Sequence, residues 1–135
     1  MKQTLIEKAK EAMKSAYAPY SKFKVGAALL CDDGSIYTGC NIENASFSPT
    51  VCAERVAIFK AVSDGKRGFS SIAVCGGSDG VLTDKFCTPC GVCRQVLSEF
   101  CGKDFVIYCV SDNDAKEFTL SQLLPESFGP EDVNI

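Results

Sequence analysis

The stretch from Ser71 to Val110 narrows the fold more than any other part of the chain. Ser71 to Gly76 is a short, mostly apolar run of strand type, and Phe105 to Val110 is a second, of buried type. Between them, Gly76 to Phe86 reads as loop. Thr88-Pro89 then opens a helix running to Phe100, with Thr88 as N-cap and Pro89 at the first helical position. A strand, helix, strand run within one sheet forms a right-handed parallel crossover.

The remaining elements extend that unit. Residues 4–17 read as a helix: Thr4 and Glu7 make a capping-box pair, and Leu5, Ile6, Ala9, Ala12, Met13 and Ala16 share one face. Phe23 to Cys31 and Ser35 to Asn41 flank the turn Asp32-Asp33-Gly34 and predict a hairpin. Cys52 to Ser63 predicts a helix that stops at Gly65. Glu117 to Leu120 reads as a short strand, Ser121 to Leu124 as a helical turn, and Pro125 to Ile135 as an irregular tail. The order α-β-β-α-β-α-β implies an α/β sheet with helices on its faces. With no repeat, low-complexity tract or long linker, residues 1–135 are expected to be one domain. If the strands before the helices at Cys52 and Cys90 run parallel, both helix N-termini meet at the carboxyl edge of the sheet, where open α/β folds place ligands.

Nine cysteines and no histidine decide which chemistry that edge can hold. Every scheme needing imidazole is excluded, from Ser-His-Asp triads to histidine pH switches. A metal must be held by sulfur or carboxylate. Nine thiols cannot all pair, no secretory leader is visible and no apolar run reaches the length of a membrane span, so the expectation is a reducing cytoplasm and no membrane partner. A net charge of −3 without a basic block argues against a nucleic-acid strand as partner.

Cys90-Gly91-Val92-Cys93 puts two sulfurs on one face of a helix's first turn, where the dipole favours thiolate. Alone, the pair is consistent with a thioredoxin-type redox couple, half a structural zinc site, or chance in a cysteine-rich chain. Cys52-Ala53-Glu54 adds a third sulfur at another helix start, with a carboxylate two residues on. Three thiolates hold Zn²⁺ with the fourth tetrahedral position left for water, the mark of a catalytic site, and Glu54 is the proton carrier beside it. The pattern of a first ligand, one residue, Glu, then Pro-Cys-x-x-Cys matches the signature of zinc deaminases.

From about Tyr17 to Gly129 the chain resembles the small, homotetrameric class of cytidine deaminases. Four segments carry the resemblance: Ser21 to Leu29, Gly39-Cys40-Asn41-Ile42-Glu43-Asn44, Cys52-Ala53-Glu54-Arg55, and Thr88 to Val96 with its Pro89-Cys90-Gly91-Val92-Cys93-Arg94 core. It implies a three-layer α/β/α fold with a mixed sheet of about five strands. It also implies hydrolytic deamination of cytidine and deoxycytidine to uridine and deoxyuridine, with one zinc per subunit. Cys52, Cys90 and Cys93 would bind the metal, and Glu54 would shuttle protons. Phe23 would pack against the pyrimidine, Asn41 and Glu43 would bind the ribose hydroxyls, and the backbones of Ala53 and Thr88 would face the base and leaving amine. Phe128 would enter a neighbouring subunit's site, making the tetramer part of catalysis.

Arg55 matches an arginine bonded to the zinc thiolates. Three thiolates on Zn²⁺ sum to −1, and a guanidinium beside the sulfurs withdraws charge and keeps the metal acidic. Two features depart from the family pattern. Phe47 stands where many relatives carry tyrosine. Cys87 is an extra thiol before the Pro-Cys motif, so a closed site of Cys52, Cys87, Cys90 and Cys93, structural zinc or iron–sulfur, is the non-enzymatic alternative. A deaminase of another aminopyrimidine nucleoside, of the blasticidin type, is the enzymatic one. Cys31, Cys75 and Cys109 read as small core residues, and Phe59, Phe69, Phe86, Phe100, Phe105 and Phe118 as packing.

Overall fold

The computed structural model describes residues Met1–Val133; the end of the expected tail, Asn134 and Ile135, lies outside the described residues. Alternating small and β-branched residues build a five-stranded mixed sheet of order β2-β1-β3-β4-β5 from β1 (Phe23–Cys31), β2 (Ile36–Cys40), β3 (Phe69–Ser78), β4 (Val106–Val110) and β5 (Ala115–Thr119). Among these five strands only β3 and β4 pair in parallel, across the crossover that the Ser71 to Val110 run predicts. The other pairings are antiparallel. Because β2 and β3 both run opposite to β1, β2 points the same way as β3 and β4.

Helices cover both faces. On one, α1 (Lys2–Met13) sets Leu5, Ile6, Ala9 and Met13 against Ala28, Ala73, Cys75 and Val110. On the other, α2 (Ala53–Ser63) and α3 (Gly91–Phe100) pack Ala53, Ala57, Ile58, Ala61 and Leu97 against Ala27, Leu29, Ile72, Val74, Ile107 and Cys109. Odd and even positions of β1 therefore serve opposite cores, as the two-residue strand period requires. Cys31, Cys75 and Cys109 are buried core residues. Phe59 is not packing as expected: it is exposed on the outer side of α2. Among the described residues no helix is long and apolar enough to cross a membrane.

Two glycines set the helix–sheet spacing. A Cβ at Gly26 would stand 2.0 Å from the Ala9 carbonyl oxygen of α1. One at Gly39 would stand 2.3 Å from the Ala53 oxygen and 2.6 Å from the Ala57 nitrogen of α2. With Ala53, Ala57 and Ala61 all buried against the sheet, α2 lies almost directly on the strands.

Several boundaries differ from expectation; β3 is two residues longer at each end than Ser71–Gly76, and β5 starts at Ala115 rather than Glu117. α1 starts at Lys2, with Met1 as N-cap, so Thr4 and Glu7 lie inside the helix and form no capping box. It ends at Met13 because Tyr17 leaves the helical path: its amide donates to Asn41 O (2.9 Å) and its carbonyl accepts from Glu43 N (2.8 Å). α3 starts two residues later than Thr88-Pro89 suggests, with extended Cys90 as N-cap. The capping box that does form belongs to α4 (Leu120–Leu123), where Thr119 and Gln122 bond reciprocally. A short 3-10 turn, Pro130–Asp132, interrupts the tail.

Candidate metal centre and groove

The common direction of β2 and β3 brings the starts of α2 and α3 to one edge of the sheet, with Cys52 and Cys90 as their N-caps. Neither cap is closed by a side-chain hydrogen bond, so neither sulfur is spent on the amides of its own helix at these positive ends. The sulfurs of Cys52, Cys90 and Cys93 all lie within 4.8 Å of one another, and those of Cys52 and Cys90 are 3.7 Å apart. Tetrahedral zinc with bonds near 2.3 Å separates its sulfurs by about 3.8 Å. The donor set therefore suits that ion. Cys87 is outside this group; it packs against the core, and burial pushes its thiol up to about 12. Among the described residues the cluster has three sulfurs, as a site with a free fourth position requires, and not the four of a closed structural centre.

Charge at the cluster is unevenly shared. A hydrogen bond with Cys93 lowers the Cys52 thiol to about 5, with help from Arg55, whose Nη2 donates to Cys52 Sγ at 3.5 Å. The same bond raises Cys93. Glu54, one helical residue beyond Ala53, is 4% exposed, and its Oε1 has no hydrogen-bond partner. Burial pushes its carboxyl up to about 7. A buried carboxylate oxygen without a partner, beside three thiols, is a group held ready for something absent from the chain itself.

A cavity of about 540 Å³ adjoins this edge, lined by Phe23, Gly76, Thr83, Phe86, Cys87 and Thr88. Phe23, 42% exposed at the start of β1, sits against Gly76, where a Cβ would come within 3.0 Å of its ring. The structure thus brings Phe23 and Thr88 to one cavity, and Ala53, Glu54 and Arg55 to the start of α2. Asn41 is used differently. Its Oδ1 accepts from Val25 N and its Nδ2 donates to Phe23 O, both at 2.8 Å, which locks the first residues of β1. Glu43 accepts from the amides of Tyr20 (3.0 Å) and Ser21 (3.1 Å) and from the Ser21 hydroxyl, whose bond holds the carboxyl below its usual range. It lines a separate exposed hollow with Tyr20, Phe47 and Thr50. Phe128 stands outside the cavity, 60% exposed.

Two residues missed in the sequence hold this arrangement together. Arg94 donates from Nε to Pro89 O and from Nη1 to Leu123 O, both at 2.7 Å. Gln95 donates to Phe128 O at 2.8 Å. Their place directly after Cys93 was the available signal. A second groove, about 590 Å³, lies away from the sulfurs on the outer face of α2, lined by Tyr37, Val51, Val56, Phe59 and Lys60.

Residues 1–109 match the family model described as the cytidine and deoxycytidylate deaminase zinc-binding region. The chain is 50% identical over 133 residues to a cytidine deaminase of Sporosarcina psychrophila, covering 98% of this chain and 94% of that one. It is 48% identical over 134 residues to one of Halalkalibacterium halodurans, covering 98% of each. The crystal structure of a cytidine deaminase from Burkholderia pseudomallei superposes with a TM-score of 0.88 at 43% identity, over 95% of this chain and 99% of the other.

Proposed function

The chain belongs to the cytidine and deoxycytidylate deaminase family, and from that premise we propose that it is a zinc-dependent hydrolase converting cytidine and deoxycytidine, with water, to the uracil nucleosides and ammonia. The observation that carries the reading is the cluster of Cys52, Cys90 and Cys93 beside the buried, unpartnered Glu54 oxygen. When bound, zinc supplies the Lewis acidity that makes water a nucleophile near neutral pH.

The rest of the chemistry falls to the chain. Glu54 accepts the proton of the attacking water and hands it to ring N3 as the C4–O bond forms. It then carries a second proton to the exocyclic amine, and the C4–N bond breaks with ammonia leaving. With no histidine in the chain, one carboxyl serves as base and acid in turn. Arg55 draws charge from Cys52 and so keeps the ion acidic. Phe23 forms an apolar wall for the pyrimidine, while the backbones of Ala53 and Thr88 face the base and the leaving amine. Asn41 and Glu43 meet the ribose hydroxyls, Glu43 from the hollow beside β1 and Asn41 from the start of β1 that its amide locks.

The working form is a homotetramer in which Phe128 completes the pocket of a neighbouring copy. Its exposure, that of Phe47 at 71%, and the apolar groove outside α2 support this. The reaction belongs to nucleoside salvage in the cytoplasm. The test is the ultraviolet change on adding cytidine, deoxycytidine or a cytosine-containing oligonucleotide, with metal analysis and light scattering alongside. The expected result is turnover of both nucleosides but not the oligonucleotide, one zinc per chain and four chains per particle. No change with either nucleoside overturns the reading.

A further inference from the structure

We propose that Arg94 is a positioning residue that ties the metal loop to the C-terminal arm carrying Phe128, so that retention of the ion and order in the arm depend on one guanidinium. The inference rests on the reading of Cys90 and Cys93 as ligands.

Three consecutive residues at the start of α3 face three different tasks. Cys93 belongs to the sulfur cluster, Arg94 reaches two carbonyls, and Gln95 reaches a third. The Pro89 carbonyl held by Arg94 Nε belongs to the peptide immediately before Cys90. Fixing that plane fixes the extended approach by which Cys90 caps the helix and offers its sulfur. Proline has no N–H to anchor the segment, so the guanidinium takes on that role.

The other end of the same guanidinium holds Leu123 O, at the close of α4. From there the chain runs through Pro125 to Phe128, whose carbonyl Gln95 holds. The arm is thus pinned twice to the first turns of α3, next to a ligand. A guanidinium is a planar fork that can serve two acceptors at fixed geometry. An ammonium is a single point of charge on a flexible stem and cannot hold both at once. Arg94→Lys keeps charge and length while breaking the double grip, which makes it the informative variant.

The experiment uses zinc-loaded full-length protein: wild type, Arg94→Lys and Gln95→Ala. Zinc release to a chromogenic chelator is timed, and amide exchange is followed at residues 124–129, with α1 and β1 as internal reference. In Arg94→Lys, release should quicken by roughly tenfold or more, the usual effect of losing a group that orients ligands. Exchange at 124–129 should rise while α1 and β1 are unchanged. With zinc saturating, KM should rise about tenfold with kcat held within about threefold, since Glu54 and α2 are untouched. Gln95→Ala should loosen the arm without hastening release. Wild-type release and arm protection in Arg94→Lys would overturn the tie alone. A chain that binds no zinc would overturn the tie and the proposed function together.

Discussion

Gly39→Ala tests whether the distance between α2 and the sheet sets the reaction rate. The added Cβ would lie 2.3 Å from the Ala53 oxygen and 2.6 Å from the Ala57 nitrogen, both backbone atoms that no rotamer change can move. Restoring ordinary contact near 3.4 Å pushes the first turn of α2 outward by about 1 Å, and overpacking of this kind costs about 1–3 kcal/mol. At about 4 °C per kcal/mol for a chain of this size, Tm falls by roughly 4–12 °C. The same turn carries Cys52 and Glu54, whereas Cys90 and Cys93 sit on α3 and do not follow. A shift of about 1 Å between reacting groups costs on the order of 100-fold in rate. Steady-state kcat/KM by ultraviolet absorbance, with Tm and zinc content measured on the same preparations, checks this. Gly34→Ala is the control. Its site is open but has φ +91°, so it should cost about 1–2 kcal/mol with turnover unchanged. If Gly39→Ala keeps kcat/KM within about twofold while Tm falls, the spacing argument is wrong.

Further expectations address the site directly. Glu54→Gln should keep zinc and fold but lose about 100- to 10,000-fold in kcat, the usual share of a general acid–base group; residual turnover above a tenth of wild type would remove Glu54 from the mechanism. Arg55→Ala should keep one zinc per chain yet turn over more slowly, and an unchanged rate by the absorbance assay would leave the guanidinium without an electrostatic role. Cys87→Val should retain full zinc by metal analysis and cost under about 1.5 kcal/mol, as a near-isosteric core change; loss of the metal would put Cys87 in the ligand set.

Much of this architecture was legible because it rests on local pattern. β1 alternates its side chains between two cores, so its small and branched residues declare a strand with both faces covered. The Cys52 helix and the crossover after Ser71 follow from periodicity and breakers. The sulfur cluster was legible for a different reason: Cys90 and Cys93, three residues apart, share one face of a helix start, a relation that sequence spacing alone defines.

What escaped notice depends on partners far along the chain. Tyr17 leaves its helix to bond Asn41 and Glu43, more than twenty positions on, and no helical pattern announces that. Thr88-Pro89 has the composition of a helix start, but Cys90 takes the cap and its sulfur joins the cluster. Asn41 and Glu43, which the resemblance assigns to the ribose, are each also bonded to the backbone entering β1, a long-range contact with no local pattern. Phe59 has core chemistry on an outward helical position, where only a further surface would cover it.

The two helix caps that supply sulfur, Cys52 and Cys90, are 38 positions apart, with all of β3 between them. An ion gripped by both would close that loop as a cross-link does. By the chain-entropy relation, closing a loop of this length removes freedom from the unfolded chain worth on the order of 4 kcal/mol. The metal would then act as a removable staple in a chain none of whose nine cysteines is disulfide-bonded. Zinc supply would set how long each molecule lasts as well as how fast it works.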